Sequence, residues 1–168
     1  MSDQKPLYTV QQVANFFLDK GREDNIPITQ MKLIKIVYFA YGWVLAITGK
    51  RLFSDTIEAW QHGPVIPALY HEFKSWGSHP IDIDYHSYEC DDGTGEVFFN
   101  TIPNNEDSKI LNTVWDTYKG LAPRQLRDKS CEKGSPWEKV YVENQYNIQN
   151  ERIKDYFLKE LNLSEYLN

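Results

Sequence analysis

The chain has 168 residues, of which 41% are hydrophobic and 14% aromatic, and its formal net charge is −6. This apolar content is sufficient for a folded core, so the composition excludes an intrinsically disordered chain. Proteins that bind nucleic acid through its phosphates are normally basic, and the net charge argues against that class. The acidic total instead favours basic partners.

The sequence predicts neither a secreted nor a membrane-bound protein. Residues 1–5 are mostly polar and lead into no apolar stretch of the kind that signal peptides contain. The longest apolar run, Ile36–Ile47, has 12 residues and is shorter than a bilayer span. The two cysteines, Cys90 and Cys131, belong to no CxxC pair and are expected to be reduced thiols. We therefore expect a cytoplasmic protein that does not bind membranes.

Two helices with clear start signals are predicted near the N-terminus. Thr9 and Gln12 form a Thr-x-x-Gln capping box, after which apolar residues repeat at helical spacing as far as Leu18. Thr29 is the expected N-cap of the second helix and Gly49 its expected C-cap. Apolar residues cover almost the whole circumference between these two caps, which predicts a buried central helix.

Short β elements and a third helix are predicted in the middle of the chain. Ile57–Trp60 is a strand candidate, and Pro64 lies at the expected first position of the third helix. Apolar and polar residues alternate over 81–86, and 97–99 is a second β-prone run that follows a glycine-containing turn. We therefore expect a β-hairpin insertion over about residues 78–105.

The remainder of the chain predicts helices. An apolar stripe over 110–121 predicts one helix. Ser135-Pro136-Trp137-Glu138 combines a Ser-x-x-Glu capping box with a proline at the first helical position, and it predicts a short helix to about Val142. A last helix is expected from about Asn150. The predicted fold is thus mainly α, a compact helical domain around the buried central helix with a small β-hairpin or sheet insertion.

We expect one domain over residues 1–168, because no repeat, low-complexity tract or long linker divides the chain. Its core motif spans about residues 10–77, the hairpin insertion about 78–105, and the C-terminal helices 106–168.

The sequence contains no recognisable catalytic or metal-binding motif. Its histidines lack the spacing of zinc ligands, and there is no P-loop, GxGxxG or GxSxG motif. Cys131, with a lysine two residues away on either side, is the better candidate for a reactive thiol, but no base is positioned to activate it. The sequence therefore favours a protein that is not an enzyme and that needs no cofactor and no metal.

One local feature is a candidate binding site. Trp60, His62, Gly63 and Pro64 lie together at a strand-to-helix corner, and Tyr70 follows on the helix. The corner is either a rigid turn that buries the tryptophan, or a surface that presents side chains and free helix N–H groups to a partner. We take these five residues as part of a predicted partner-binding site.

Three further features have two interpretations each. Lys32 and Lys35 are either a small basic edge of the binding site, to which we assign them, or the solvated stripe of a buried helix. Glu89 and Asp91 form either a solvated acidic hairpin tip or an acidic patch for a basic partner. Residues 10–45 match a helix-turn-helix in outline, but the aromatic second helix leaves little polar surface for contacts with bases.

A longer ordered pattern resembles a known family. The stretch MKLIKIVYFAYGW at residues 31–43 resembles the family pattern MKLxKLLYFAYGW. Shorter elements continue the pattern in the right order, namely Leu52-Phe53, Ile57–Trp60, Gly63–Val65 with Pro67, Leu69–Phe73 and Gly134–Trp137. The family is that of the Panacea-domain antitoxins of the SocA- and GepA-like group, which are phage-associated and often encoded in prophages and toxin–antitoxin operons.

The resemblance implies an antitoxin that neutralises a cognate toxin by direct protein binding, with toxic small alarmone synthetases and other translation-targeting proteins among the toxins. Two alternatives remain: an adaptor that delivers its toxin to a Clp protease, and a prophage-encoded regulator that acts on nucleic acid or its enzymes. The chain departs from the family at Cys131, where members often have a histidine shortly before the Pro-Trp element. A mechanism that requires that histidine is therefore not expected here.

Overall fold

Seven α-helices, one 3-10 helix and two short strands occupy residues 5–87 and 102–162, which are the residues that the computed structural model describes. In chain order they are α1 (Val10–Asp24), α2 (Gln30–Thr48), β1 (Glu58–Trp60), β2 (Gly63–Val65), α3 (Pro67–Phe73), the 3-10 helix Lys74–Trp76, α4 (Glu106–Tyr118), α5 (Pro123–Ser130), α6 (Pro136–Val142) and α7 (Asn150–Glu160). The prediction of a mainly α fold with a small antiparallel sheet is confirmed.

The helix α2 is the centre of the fold, as its apolar composition predicts. It packs against α1, α3, α4, α5, α7 and β2. The threonine hydroxyl of Thr29 accepts a hydrogen bond from the backbone N–H of Lys32, and Gly49 ends the helix in the left-handed conformation at φ 74°. Both predicted caps of α2 are therefore confirmed.

By length and composition, α2 is the one helix among the described residues that could cross a membrane. At 19 residues α2 is long enough to span a bilayer, although the apolar run within it is shorter. In the fold, however, 78% of its most apolar window is buried inside the protein. The core therefore accounts for the apolar character of α2.

The predicted N-caps of two other helices and the predicted start of the last helix are also confirmed. Thr9 and Gln12 form the reciprocal capping box of α1, and the Ser135 hydroxyl accepts a hydrogen bond from the N–H of Glu138 at the start of α6. The second half of the predicted capping box of α6 is not formed, because the Glu138 carboxylate accepts from the N–H of Gly134 instead. Helix α7 begins at Asn150. These signals depend on residues within one turn of the helix, which explains why the sequence alone reveals them.

The prediction that the third helix begins at Pro64 is wrong. Pro64 lies in β2, which pairs antiparallel with β1 in the register Trp60 opposite Gly63, so that Gln61 and His62 form a two-residue hairpin turn. The helix begins at Pro67 instead, which is the next proline that can occupy a first helical position.

The first strand of the predicted insertion hairpin is not formed. Residues 81–87 contain a turn and no strand, and the predicted turn and second strand at 91–99 lie outside the described residues. The amide of Asn15 exchanges two hydrogen bonds with the backbone of Ser87, at 2.9 and 2.7 Å, and Glu72 accepts from the hydroxyls of Tyr85 and Ser87. These polar contacts with α1 and α3 take the place of a strand partner.

The helix α5 was not predicted. Its eight residues contain one buried apolar side chain, Leu126, so no apolar periodicity marks the helix. Its start depends on a contact made by Gln125, whose side-chain oxygen accepts a hydrogen bond from the N–H of Ala122 at 2.8 Å.

We predict that Gly42→Ala destabilises the protein by about 2 kcal/mol, because the new methyl group would overpack the interface between α2 and α7. A Cβ at this position would lie 2.2 Å from two ring atoms of Phe157, whose side chain is 2% exposed. Urea unfolding measures the change. Gly120→Ala is the matched control, because a Cβ there meets no atom within 4 Å. Equal unfolding midpoints for the two variants would contradict the close approach of the helices.

Candidate partner-binding site

Six of the seven predicted site residues lie together, and Lys32 lies apart from them. Lys35, Trp60, His62 and Tyr70 line a single cavity, and Gly63 and Pro64 contact the Lys35 amine from β2. The proposed roles of these residues in partner binding stay a prediction.

Lys32 belongs to the interior and not to a basic edge or a solvated stripe. Its residue is 6% exposed, and its Nζ donates hydrogen bonds to the carbonyl oxygens of Lys119 and Leu121 at 2.6 and 3.0 Å. Burial lowers the pKa of Lys32. The lysine binds the segment that follows α4 to the first turn of α2. The prediction that its side chain lies on an exposed edge is therefore wrong.

Lys35 is also buried, at 2% exposure, so the same correction applies to it. Its Nζ donates a hydrogen bond to the carbonyl oxygen of Pro64 at 2.9 Å. Burial lowers the pKa of Lys35 to about 8, partly offset by the thiol of Cys131, while Arg127 lowers it further. Replacing Lys35 with glutamate would bury an unpaired carboxylate. The lysine therefore supports the site through its hydrogen bond to β2 and is not exposed on the site's surface.

Gly63 has to be a glycine at this corner. Its φ is +110°, which side chains rarely adopt, and a Cβ would lie 2.8 Å from Nζ of Lys35 and 3.0 Å from both Sγ of Cys131 and Oγ of Ser130. The backbone of β2 therefore passes directly over a small polar cluster that joins α2 to the end of α5.

Ser130 and Cys131 are members of this cluster that the sequence analysis did not assign to the site. The Ser130 hydroxyl donates to the carbonyl oxygen of Arg127 at 2.7 Å and lies 3.8 Å from Sγ of Cys131. Burial raises the pKa of the Cys131 thiol, with smaller opposite effects from Ser130, Lys35 and Arg127. Cys131 is a free, half-buried thiol that remains mostly protonated at neutral pH. The family resemblance marked this position, but only the fold brings it to Lys35.

Trp60 is held at the surface by its neighbours on both sides. Its indole Nε1 donates to Oε2 of Glu58 at 2.6 Å, and its ring contacts the ring of Tyr70 edge to face at a centroid distance of 4.9 Å. The carbonyl oxygen of Trp60 accepts a hydrogen bond from Nε1 of Trp137 at 2.5 Å. The late Pro-Trp element of the sequence thus fixes the corner from α6.

A mostly apolar cavity of about 250 Å³ opens beside this corner. Its apolar lining comes from α2, β2 and α3, through Met31, Ile34, the stem of Lys35, Val65 and Tyr70, with Trp60 on β1. The exposed residues Gln61 and His62 of the hairpin turn also line it.

Exposed aromatic residues continue the surface beyond Trp60. Trp137 stacks on Tyr141 at a centroid distance of 4.7 Å, and the N–H of Ala59 in β1 donates to the carbonyl oxygen of Tyr146. Tyr141 is 42% exposed and Tyr146 is 72% exposed. We refer to Trp60, Trp137, Tyr141 and Tyr146 as the aromatic face.

No group of three or more His, Cys, Asp or Glu side chains that could hold a metal ion occurs within residues 5–87 and 102–162. The described site presents apolar surface, ring contacts and a few hydrogen-bonding groups.

We predict that Tyr38→Phe stabilises the protein by about 1 kcal/mol, because an unpaired buried hydroxyl is unfavourable. Tyr38 is 1% exposed, and its hydroxyl has no hydrogen-bond partner among the described residues. Tyr41→Phe is the matched control, since its hydroxyl donates to Oδ1 of Asn150 at 2.7 Å and its loss should cost about 1 kcal/mol. Urea unfolding that gives the same sign for both variants would contradict this assignment.

We also predict that the contribution of Lys35 to the free energy of unfolding rises between pH 8 and 10.5. In that range the unfolded lysine holds a proton that the folded amine, with its pKa lowered from 10.5 to about 8, has released. The gain over the range is about 3 kcal/mol. Lys35→Met lacks this gain, and groups common to both proteins cancel when unfolding curves at several pH values are compared. If the free energy of unfolding changed with pH in the same way in the variant and the parent, burial would not lower the pKa of Lys35.

Comparison with known proteins connects this geometry to a family. The family model described as "Antitoxin SocA-like, Panacea domain" matches residues 33–138, a range that includes Lys35, the corner and Trp137. Antitoxin SocA of Caulobacter vibrioides (strain NA1000 / CB15N) is 33% identical to the chain over 129 residues, which are 76% of this chain and 68% of that protein. No solved structure matches the chain. The chain therefore belongs to the SocA-like family of Panacea-domain antitoxins.

Proposed function

We propose that this protein neutralises a cognate toxin by direct binding in the cytoplasm, without catalysing a reaction. The observation that carries the proposal is its membership of an antitoxin family, which is supported by an aromatic face with two exposed tyrosines beside the corner. The curated relative is named an antitoxin, and an antitoxin that acts by binding needs an adhesive surface rather than a catalytic group.

The aromatic face has the composition of a protein-binding surface. Tryptophan and tyrosine dominate the residues that contribute most to protein–protein affinity. Here the indole of Trp137 donates to the carbonyl oxygen of Trp60 and its ring stacks on Tyr141, while Tyr141, Val142 and Tyr146 are 42%, 73% and 72% exposed. Large apolar side chains that are exposed together in this way mark interaction sites.

The charge of the chain supports a basic partner. A net charge of −6 attracts a positively charged toxin and repels acidic proteins, which favours fast and selective association. The same charge disfavours direct binding to nucleic acid, where phosphates would be repelled.

We predict that His62→Ala combined with Tyr146→Ala weakens toxin binding by at least about tenfold while leaving the fold intact, because both side chains are exposed on the proposed surface. The test is to induce the neighbouring reading frame with and without this protein, to follow growth and toxin level, and to measure the affinity of the purified pair. Rescued growth with a stoichiometric complex is the expected result.

Ile83→Ala is the matched control, since Ile83 is a 60% exposed apolar residue away from the aromatic face. Growth that is rescued while the toxin disappears would replace neutralisation with delivery to a protease. Equal affinity of the double variant and the parent would place the interface elsewhere on the protein. A neighbouring product that is not toxic would remove the support for a cognate toxin at that locus.

A further inference from the structure

The cavity beside the corner is small, and its size limits what it can bind. Its volume is about 250 Å³, below the range of roughly 300–1,000 Å³ that holds drug-sized ligands and cofactors. A whole helix or an extended peptide is too large to enter it. A single large side chain is the kind of group that fits this space.

The lining of the cavity is mostly apolar, with Gln30, Lys35, Gln61 and His62 as its polar members. Ile34 and Val65 are 4% and 7% exposed and form its wall, and the half-buried Met31 lies on the same helix as Ile34. Trp60 and Tyr70 add two aromatic rings in an edge-to-face pair. Such a surface favours an aromatic side chain, which gains ring contacts in addition to burial.

A carboxylate next to the cavity favours a partner that carries a positive charge beside its apolar side chain. Glu58 accepts the hydrogen bond of the Trp60 indole, so its charge lies next to a ring that lines the cavity. No cation forms an ion pair with Glu58 in the described part of the chain. A positively charged residue of a partner is the group that would complement this carboxylate, in agreement with the acidic net charge of the whole chain.

We infer that the cavity is the anchor pocket of the toxin interface, and that it receives one aromatic side chain of the partner with an arginine or lysine beside it in the partner's sequence. The aromatic ring enters between Met31, Val65 and Tyr70, and the cation meets Glu58. This inference rests on the proposed function, because it assumes a protein partner, and it adds the chemistry that the partner presents.

The first test uses capped dipeptides on the intact protein, and it requires no toxin. The probes are N-acetyl-phenylalanyl-arginine amide, its alanyl-arginine analogue and its phenylalanyl-glutamate analogue. The readout is the ¹³C-methyl NMR signals of Met31, Ile34 and Val65. We expect saturable millimolar binding of the first probe, no shift with the alanyl peptide, and about threefold weaker binding of the glutamate peptide, since an exposed ion pair contributes little.

The second test fills the cavity. Met31→Trp should reduce phenylalanyl-arginine binding by at least about tenfold, because the added ring occupies the space of the ligand's ring. Ile83→Trp introduces the same ring at an exposed position outside the cavity and should leave binding unchanged.

The outcomes separate this inference from the proposed function. Methyl shifts that are the same for the alanyl and phenylalanyl peptides, or absent for all three, overturn the anchor pocket even if the protein rescues growth. Specific peptide binding supports the pocket. Its loss in Met31→Trp together with a matching loss of toxin affinity supports the pocket as part of the interface. A Met31→Trp variant that binds toxin as tightly as the parent separates the pocket from toxin binding and overturns the inference.

Discussion

A helix that is apolar on almost every side has to be covered on almost every side, and the fold follows from this constraint. Five helices and one strand pack around α2, so its two lysines cannot reach solvent. An ammonium group in the interior needs hydrogen-bond acceptors. Lys32 finds them in the carbonyls at the end of α4, and Lys35 finds one in β2. The two lysines of α2 therefore help to position the segment after α4 and the strand β2 against this helix.

The Lys35 contact gives the corner its shape. Because Nζ lies under the backbone of β2, the residue above it has to lack a side chain, and Gly63 meets that requirement in a conformation that other residues avoid. The hairpin β1–β2 is fixed from below by α2 and from the side by Trp137 of α6. Trp60 and Tyr70 are in this way held in position before a partner arrives. Such preorganisation lowers the cost of ordering side chains on binding.

Features that depend on contacts between residues close in sequence could be predicted from the sequence alone. The capping residues Thr9, Thr29 and Ser135 act on backbone N–H groups within one turn, so their patterns identify helix starts without knowledge of the rest of the chain. The residues of the corner were likewise recognised as neighbours, although the corner is a β-hairpin turn and not the predicted strand-to-helix turn. Family membership was also evident, because a long ordered pattern covers much of the chain.

The predictions that were wrong concern features that depend on contacts between residues distant in sequence. The burial of Lys32 and Lys35 follows from carbonyls that lie far away in sequence, and a lysine on an apolar helix is more often solvated. The alternating pattern at 81–86 predicted a strand, but the amide of Asn15 takes up the backbone groups of Ser87 instead. Several residues of the cavity were singled out in the sequence, but the cavity itself was not, since its walls come from α2, both strands and α3.

The residues of the family pattern therefore have two roles: some support the corner, and their neighbours in sequence lie at its surface. Within α2, both Lys35 and Met31 line the cavity, but the amine of Lys35 also donates to the strand β2 and supports the corner. Within the hairpin, Gly63 permits the close approach, while Trp60 and His62 remain available at the surface. Under the proposed function, a change at a supporting position alters binding only by distorting or unfolding the corner, whereas a change at a surface position alters binding in a folded protein. Separating stability from affinity for each residue is thus the way to distinguish the scaffold of this antitoxin from its interface.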